Sequence, residues 1–346
     1  MSMIDPLLGN APRYGESVVS NRDLADQNVV VRPKLFDEHE AATIRATLLR
    51  KQAEAPSSNK FTANATELLL GRPDDAARGV ASRLGVTEAE LHRRMAQGVL
   101  AIVDECEALL VQTAVAGADL RQSLDNLANL EYVLYEPAGQ HEGLHEPSRA
   151  GQRLAYFMQH PNASQANLSE AQVVALRWYT TIAYKSMNEP LRDIERAEPH
   201  PLAATVAFLR EGLTKLHAIA APSPHGQLAP TLETQARLWR GMRNVRAPDQ
   251  LMSTGGTELA PASFTHDLAV AAGFAAARTS LLFVINTDLS FMQRGAPLQW
   301  LSTAPFEQEF LLPPCTYLEP TGRKHTIELE SGQVYTIVEV TPYLGG

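Results

Sequence analysis

The sequence predicts an α+β fold, with a helical N-terminal region followed by a C-terminal part built largely from strands. Three observations predict it. Apolar residues recur at helical spacing between Phe36 and about Tyr135. Two further helices are signalled at Ser169 and Pro201. After Pro222 the pattern changes to short apolar, β-branched runs separated by Gly, Pro, Asn and Asp. Helices followed by strands, with one helix among them, describe an α+β domain rather than alternating βαβ units.

Each element has a local reason. Asp37 to Ala55 runs without Gly or Pro and is rich in Ala, Leu, Glu and Arg. Thr87 opens a helix as a capping box with Glu90, and Leu91, Met95, Val99, Leu100, Val103 and Cys106 follow as one apolar stripe. Glu136 to Asn167 carries Pro137, Gly139, Gly143, Pro147, Gly151 and Pro161 and reads as a loop-rich junction. Ser169 and Gln172 form a second capping box for a helix running to about Asn188, with Pro190 limiting it; another helix spans Pro201 to Leu216. Strands are expected at Leu238, Leu281–Ile285, Phe310–Leu312, Ile327–Leu329 and Val334–Val340, and an Ala-rich helix at Asp267–Arg278. Gly255-Gly256 reads as a turn. The domain organisation follows: a flexible leader over residues 1–35, a helical region over 36–160, and a C-terminal domain over 161–346.

Composition narrows the function. A chain of 346 residues with 45% hydrophobic and 20% charged residues is an ordinary globular protein, long enough for two domains. A net charge of −9 argues against nucleic-acid binding. Cys106 and Cys315 are the only cysteines, which excludes a disulfide framework and any all-cysteine metal site. No apolar run is long enough to span a membrane, and Met1 to Arg32 lacks the layout of a conventional signal peptide. A polar leader can also carry an export address, but polar N-termini are common and the plain leader is the favoured reading.

Two motifs are declined. His141-Glu142-Gly143-Leu144-His145 matches the H-E-x-x-H zinc pattern, but that chemistry needs both histidines on one helix face. Gly139 and Gly143 lie beside or inside it and Pro137 and Pro147 bracket it, so no helix of useful length is expected, and no metal site is predicted. Neither a dinucleotide fingerprint nor a phosphate-binding P-loop is present.

The acidic pair Glu307-Gln308-Glu309 lies ahead of the strand-like Phe310–Leu312. As part of a strand it would set Glu307 and Glu309 on one face. On its own the pair also reads as a solvated strand edge. Arg240, in Trp239-Arg240-Gly241 at the end of a short strand, reads alone as a surface arginine; Ser263-Phe264-Thr265 reads alone as a strand end and helix-capping segment.

Taken in order, these segments resemble the mono-ADP-ribosyltransferases of the arginine–serine–glutamate class, of the bacterial toxin and effector type. The resemblance covers about Leu168 to Pro342. It rests on the strand arginine followed by glycine at Arg240-Gly241, the Ser263-Phe264-Thr265 strand followed by Ala271-Ala272-Gly273-Phe274-Ala275, and the E-x-E pair running into Phe310–Leu312 and Pro313-Pro314. The helix with Tyr179-Thr180 and Asn188 is similar to the family's preceding helical element; Tyr184 and Leu191-Arg192 lie on it or just after it. One departure is Phe264, where the family carries Thr.

The resemblance implies a β-sandwich core with leading helices and NAD as co-substrate, without a metal. Arg240 would grip the phosphates, with Gly241 and Thr265 beside it; Ser263 would position Glu309, and Glu309 would hold the ribose. Glu307 would orient and deprotonate the acceptor, and Phe306, on the turn from Ser302, would pack against a target protein. It further implies transfer of ADP-ribose, to arginine most often, with NAD hydrolysis as a side activity. The setting it implies is a virulence effector secreted or translocated into a host or competitor cell, with a secretion chaperone as a candidate partner of the N-terminal region. The alternative is a catalytically degenerate fold that serves as a protein-binding module.

Overall fold

The computed structural model describes residues 34–55, 65–135, 149, 151–220, 237–287 and 295–344. Apart from Lys34 and Leu35, the expected leader lies outside the described residues, as does the His141–His145 motif.

Helix α1 (Glu38–Glu54) starts where a carboxylate can take up its first free amides. Asp37 Oδ1 accepts from the Glu40 amide at 2.8 Å, and Glu40 Oε2 accepts from the Asp37 amide at 3.1 Å. The helix then buries Ile44 and Leu48 in one cluster with Trp239, Leu282, Tyr335 and Ile337 of the C-terminal sheet. Phe36 stacks on Trp239 with ring centroids 5.9 Å apart, and the Tyr335 hydroxyl donates to Gln52 Oε1 at 2.6 Å. Helix α1 therefore belongs to the covering of the sheet, although its sequence neighbours form a helical bundle.

That bundle contains α2 (Glu88–Met95), α3 (Val99–Val115), α4 (Arg121–Tyr135), α5 (Glu170–Tyr179), α6 (Tyr184–Arg192) and α7 (Ala203–Ala220). The stripe expected on one helix is divided between α2 and α3, because Gly98 adopts φ +62° and turns the chain. Thr87 accepts from the Glu90 amide as expected, but the Glu90 carboxylate turns instead to Arg93 and Arg94. The Ser169–Gln172 box forms in full. The helix it opens stops at Tyr179 rather than at Asn188, where the Thr180 and Thr181 hydroxyls donate to the Arg177 and Trp178 carbonyls at 2.7 Å. A new helix, α6, follows and continues past Pro190 to Arg192. Buried Glu105 on α3 accepts from the Ala204 and Thr205 amides, capping α7 with a negative charge. Trp178, Leu209, Ile102 and Leu130 fill the bundle core, which runs on into Leu298, Leu301 and Leu311.

The strands are β1 (Thr66–Glu67), β2 (Arg237–Arg243), β3 (Val245–Arg246), β4 (Gly256–Glu258), β5 (Ala262–Thr265), β6 (Thr279–Asn286), β7 (Ala296–Pro297), β8 (Glu309–Leu312), β9 (Thr316–Glu328) and β10 (Val334–Tyr343), with α8 (Leu268–Phe274) between β5 and β6 and short single-turn helices elsewhere. Eight of them form one sheet in the order β4-β9-β10-β6-β2-β5-β8-β7, parallel at β10–β6 and otherwise antiparallel. The β2–β5 junction is a single pair, Trp239 opposite Thr265, so the sheet folds there. Leu238, Phe283 and Val338 from one side share an apolar cluster with Phe264, Phe310 and Leu312 from the other. This is the α+β architecture predicted, a sandwich behind leading helices.

Three local readings are corrected. The part of the expected loop-rich junction that is described holds two short helices, Leu154–Met158 and Pro161–Gln165, the second with Pro161 in its first turn, where proline is tolerated. Trp239–Gly241 occupies the middle of β2 rather than its end, and Gly256 opens strand β4, leaving only Gly255 as the turn residue at φ +67°.

Candidate active site

A cavity of about 700 Å³ lies where β2, β5 and the start of β8 meet helices α4, α5, α6 and α8. That is a size suited to a substrate of nucleotide dimensions, within the range of about 300–1,000 Å³ usual for ligand sites. Arg240, Gly241, Ser263, Thr265, Glu307 and Glu309 all line it. Phe306 does not line the cavity; it stands 55% exposed on the turn that leads to Glu307.

Strand alternation explains how Arg240 arrives there. Leu238 and Arg240 share the face of β2 turned to the sandwich interior, while Trp239 and Gly241 face α1 and α8. The Arg240 guanidinium donates from Nη1 to the Ser263 carbonyl at 3.2 Å and from Nη2 to Glu258 Oε2 at 3.5 Å. Its Nε is buried with no hydrogen-bond partner. A buried donor left in that state is costly unless a ligand completes it. Arg192, in the last turn of α6, reaches the other oxygen of Glu258 at 3.0 Å. Two guanidinium groups thus meet at one cavity.

The acidic pair reaches the same cavity by a different route from the one expected. Glu307 is not in a strand: it ends a 3₁₀ turn over Pro305–Glu307, and Gln308 adopts the left-handed conformation at φ +47°. Strand β8 begins only at Glu309. Both carboxylates line the cavity because the turn swings Glu307 back toward Glu309, not because of a period of two. Glu309 is 6% exposed, with the Ser263 side chain close enough to favour its charged form. Burial pushes its pKa up to about 7, with the neighbouring Glu307 charge adding to the rise and Ser263 and Arg240 opposing it. Burial alone raises the Glu307 carboxyl above its ordinary value. Ser263 stands between the two charged groups, its carbonyl toward Arg240 and its hydroxyl toward Glu309.

The helical bundle and Arg149 hold the turn that carries Glu307. Arg177 donates to the Leu301 carbonyl at 2.8 Å while its guanidinium lies 3.9 Å over the Phe157 ring. Arg149 donates to the carbonyls of Trp300, at 2.5 Å, and Ser302. Thr303 exchanges two bonds with Thr180, its amide to Oγ1 at 3.0 Å and its hydroxyl to the carbonyl at 2.7 Å. On β5, the Thr265 hydroxyl accepts from the Asp267 amide at 3.0 Å, which starts α8. Phe264, on the opposite face to Ser263, fills the apolar interior of the sandwich.

Sequence reasoning missed Glu258 altogether and noted Tyr179, Asn188 and Arg192 without giving them a role. Asn188 Nδ2 donates to the Tyr179 hydroxyl at 3.1 Å, and Asn188 Oδ1 is buried with no partner. The signal available for Asn188 and Arg192 was their four-residue spacing, which sets both on one helix face. Nothing local to Glu258 singles it out.

The arrangement supplies neighbouring cationic and anionic groups inside one cavity, which suits a ligand bearing both anionic and cationic parts. Among the described residues no group of three or more His, Cys, Asp or Glu is placed to hold a metal ion. No described helix is long and apolar enough to cross a membrane.

No protein-family model matches the chain, and no curated protein is similar to it in sequence. Among solved structures it is similar to the ADP-ribosyltransferase HopU1 of Pseudomonas syringae pv. Tomato DC3000, at 18% identity over 63% of this chain and 97% of that one, with a TM-score of 0.39. The type III effector XopAI from Xanthomonas axonopodis pv. citri follows at 16% identity, 70% and 99% coverage and a TM-score of 0.38. A mutant of the eucaryotic mono-ADP-ribosyltransferase ART2.2, in complex with NADH, is 12% identical over 80% of this chain and 95% of that one, with a TM-score of 0.44.

Proposed function

We propose that this chain is an NAD-dependent mono-ADP-ribosyltransferase of the arginine–serine–glutamate class. It cleaves the nicotinamide–ribose bond and passes ADP-ribose to a side chain, most simply arginine, of a target protein. One observation carries the reading: Arg240, Ser263, Glu307 and Glu309, brought from three strands and a turn, converge on a single cavity, with Arg240 bonded to the Ser263 carbonyl and the Ser263 side chain beside Glu309. The setting that fits is an effector translocated into another cell. The helical region over 36–160 and the turn bearing Phe306 are then the surfaces offered to the target.

The residues present fit such a co-substrate. The unpartnered Nε of Arg240 and the guanidinium of Arg192 supply donors for the phosphates, in the bidentate geometry arginine favours. NAD supplies a nicotinamide that is already cationic and therefore departs readily. Glu309, fixed by Ser263, sets a carboxylate where the ribose becomes electron-poor, as in glycosidic transition states. Its burial makes that charge more effective than it would be in water. Glu307, less buried and closer to the exposed turn, accepts a proton from the incoming acceptor. A guanidinium acceptor, with a pKa above 12, is the group that most needs such a base.

The two carboxylates can be separated by experiment. Glu307→Gln is expected to lower transfer of labelled ADP-ribose to an arginine acceptor by about a hundredfold, the usual worth of general-base help, while retaining much of the NAD hydrolysis. Equal loss of both activities would assign Glu307 to NAD cleavage instead. Uptake of NAD by the wild type without any release of nicotinamide would favour a binding module over an enzyme.

A further inference from the structure

We propose that Glu258 is a positioning residue, a single buried carboxylate that sets the spacing of Arg192 and Arg240 as a paired cradle for the diphosphate. The inference rests on the function proposed above and adds to it a residue outside the cavity wall.

Glu258 is the last residue of β4, at one end of the sheet, four places from β2 in strand order. The folding of the sheet brings its side chain to the interior, where it is 0% exposed. Its Oε1 accepts from Arg192 Nε at 3.0 Å and from the Ala260 amide at 3.3 Å. Its Oε2 faces Arg240 Nη2 at 3.5 Å. Both arginines line the cavity and Glu258 does not.

Burying a carboxylate this fully is expensive, and apolar residues would often fill such a place at no loss of stability. What the carboxylate does here is hold two like charges side by side. Without it the two guanidinium groups repel each other in a medium that screens poorly. With it, one oxygen is assigned to each arginine, and the donors not used on Glu258 are left for a ligand. The Ala260 amide stops the carboxylate from rotating. Arg192 is itself held at the backbone, since Arg83 donates to the carbonyls of Leu191 and Asp193 at 2.8 and 2.7 Å. The cradle is therefore built before any ligand arrives, which lowers the ordering cost of binding.

Initial-rate kinetics of nicotinamide release, with calorimetric titration of NAD alongside, test the assignment on the full-length chain. Glu258→Gln keeps the shape but turns an amide donor toward one of two donors. Its KM and Kd for NAD are expected to rise about tenfold or more while kcat stays within about threefold, because the diphosphate grip serves ground and transition states alike. Inhibition by free nicotinamide, which carries no phosphate, should be unchanged. A fall in kcat with KM unchanged, or no change in either, would overturn the assignment, since a merely structural role reduces the active fraction alone. Should Glu258→Gln not fold, Glu258→Asp, which keeps the charge and shortens the reach, is expected to raise KM in the same way, and an unchanged KM would overturn the proposal. A wild type that takes up no NAD would remove the proposed function itself; a wild type that turns NAD over beside an indifferent Glu258→Gln would remove only this inference.

Discussion

Glu309→Gln is expected to abolish nicotinamide release while making the protein more stable at alkaline pH. The substitution keeps the shape and an acceptor for the Ser263 hydroxyl but removes the charge. If that charge meets the electron-poor ribose, its loss should cost about 10³ or more in kcat, the range found when one preorganised electrostatic group is removed. The stability arm has the opposite sign. The folded pKa of Glu309 is raised from 4.5 to about 7, so ionising it in the folded protein is harder than in the unfolded chain. Below about pH 4.5 the group is neutral in both states and costs nothing. Between about 4.5 and 7 the unfolded chain ionises first, and folding stability falls; a shift of this size corresponds to about 3 kcal/mol. Chemical denaturation at pH 4 and pH 8 should therefore show wild type and Glu309→Gln nearly equal at the lower value and the variant ahead at the higher. The same ionisation should appear in the pH profile of wild-type kcat/KM, rising to a plateau as pH passes about 7. A variant that is active, or that is less stable than wild type at pH 8, would mean that the carboxylate has a structural role.

Gly241→Ala carries the second large effect, through packing rather than charge. A Cβ at Gly241 would lie 1.8 Å from the Ala271 carbonyl oxygen, so the backbone of α8 would have to move away from β2. That helix buries Ala271 and Ala272 against the sheet and borders the cavity through Val270, Ala271 and Phe274. Forcing a backbone contact apart in a close-packed layer should cost about 3 kcal/mol or more. In a chain of this size that corresponds to a fall of roughly 4 °C or more in Tm. Gly273 is the matched control: it lies on the same helix with nothing within 4 Å of its added Cβ, so Gly273→Ala should be neutral or stabilise by about 0.5–1 kcal/mol. Similar melting temperatures for the two variants would contradict the observed approach of α8 to β2.

These two positions also mark how far the sequence could be read. Capping chemistry was legible where donor and acceptor are three residues apart, in full at Ser169–Gln172 and by half at Thr87–Glu90, because those bonds depend on little beyond the turn itself. The break at Gly98 was not, since an apolar stripe passes through a glycine without interruption and only the left-handed backbone reveals the turn. Glu307 and Glu309 share a cavity as expected, but the reason is tertiary: the turn is held by Arg149, Arg177 and Thr180, all more than a hundred residues earlier in the chain. Helix α1 was legible as a helix and not as a cover for the sheet, because its apolar face fits either partner. Glu258 stayed invisible because its partners lie 66 and 18 residues away and no local pattern links them.

Calorimetric titration of NAD into the wild type and into Arg240→Gln addresses the central reading most directly. Arg240 stands at the middle of the cavity wall with an unpartnered Nε, and a charge-assisted bond to phosphate is stronger than a neutral one. Saturable uptake at one site by the wild type, weakened about tenfold or more in Arg240→Gln, is the expected result. No uptake by the wild type at millimolar NAD, or equal affinity in the two proteins, would contradict it.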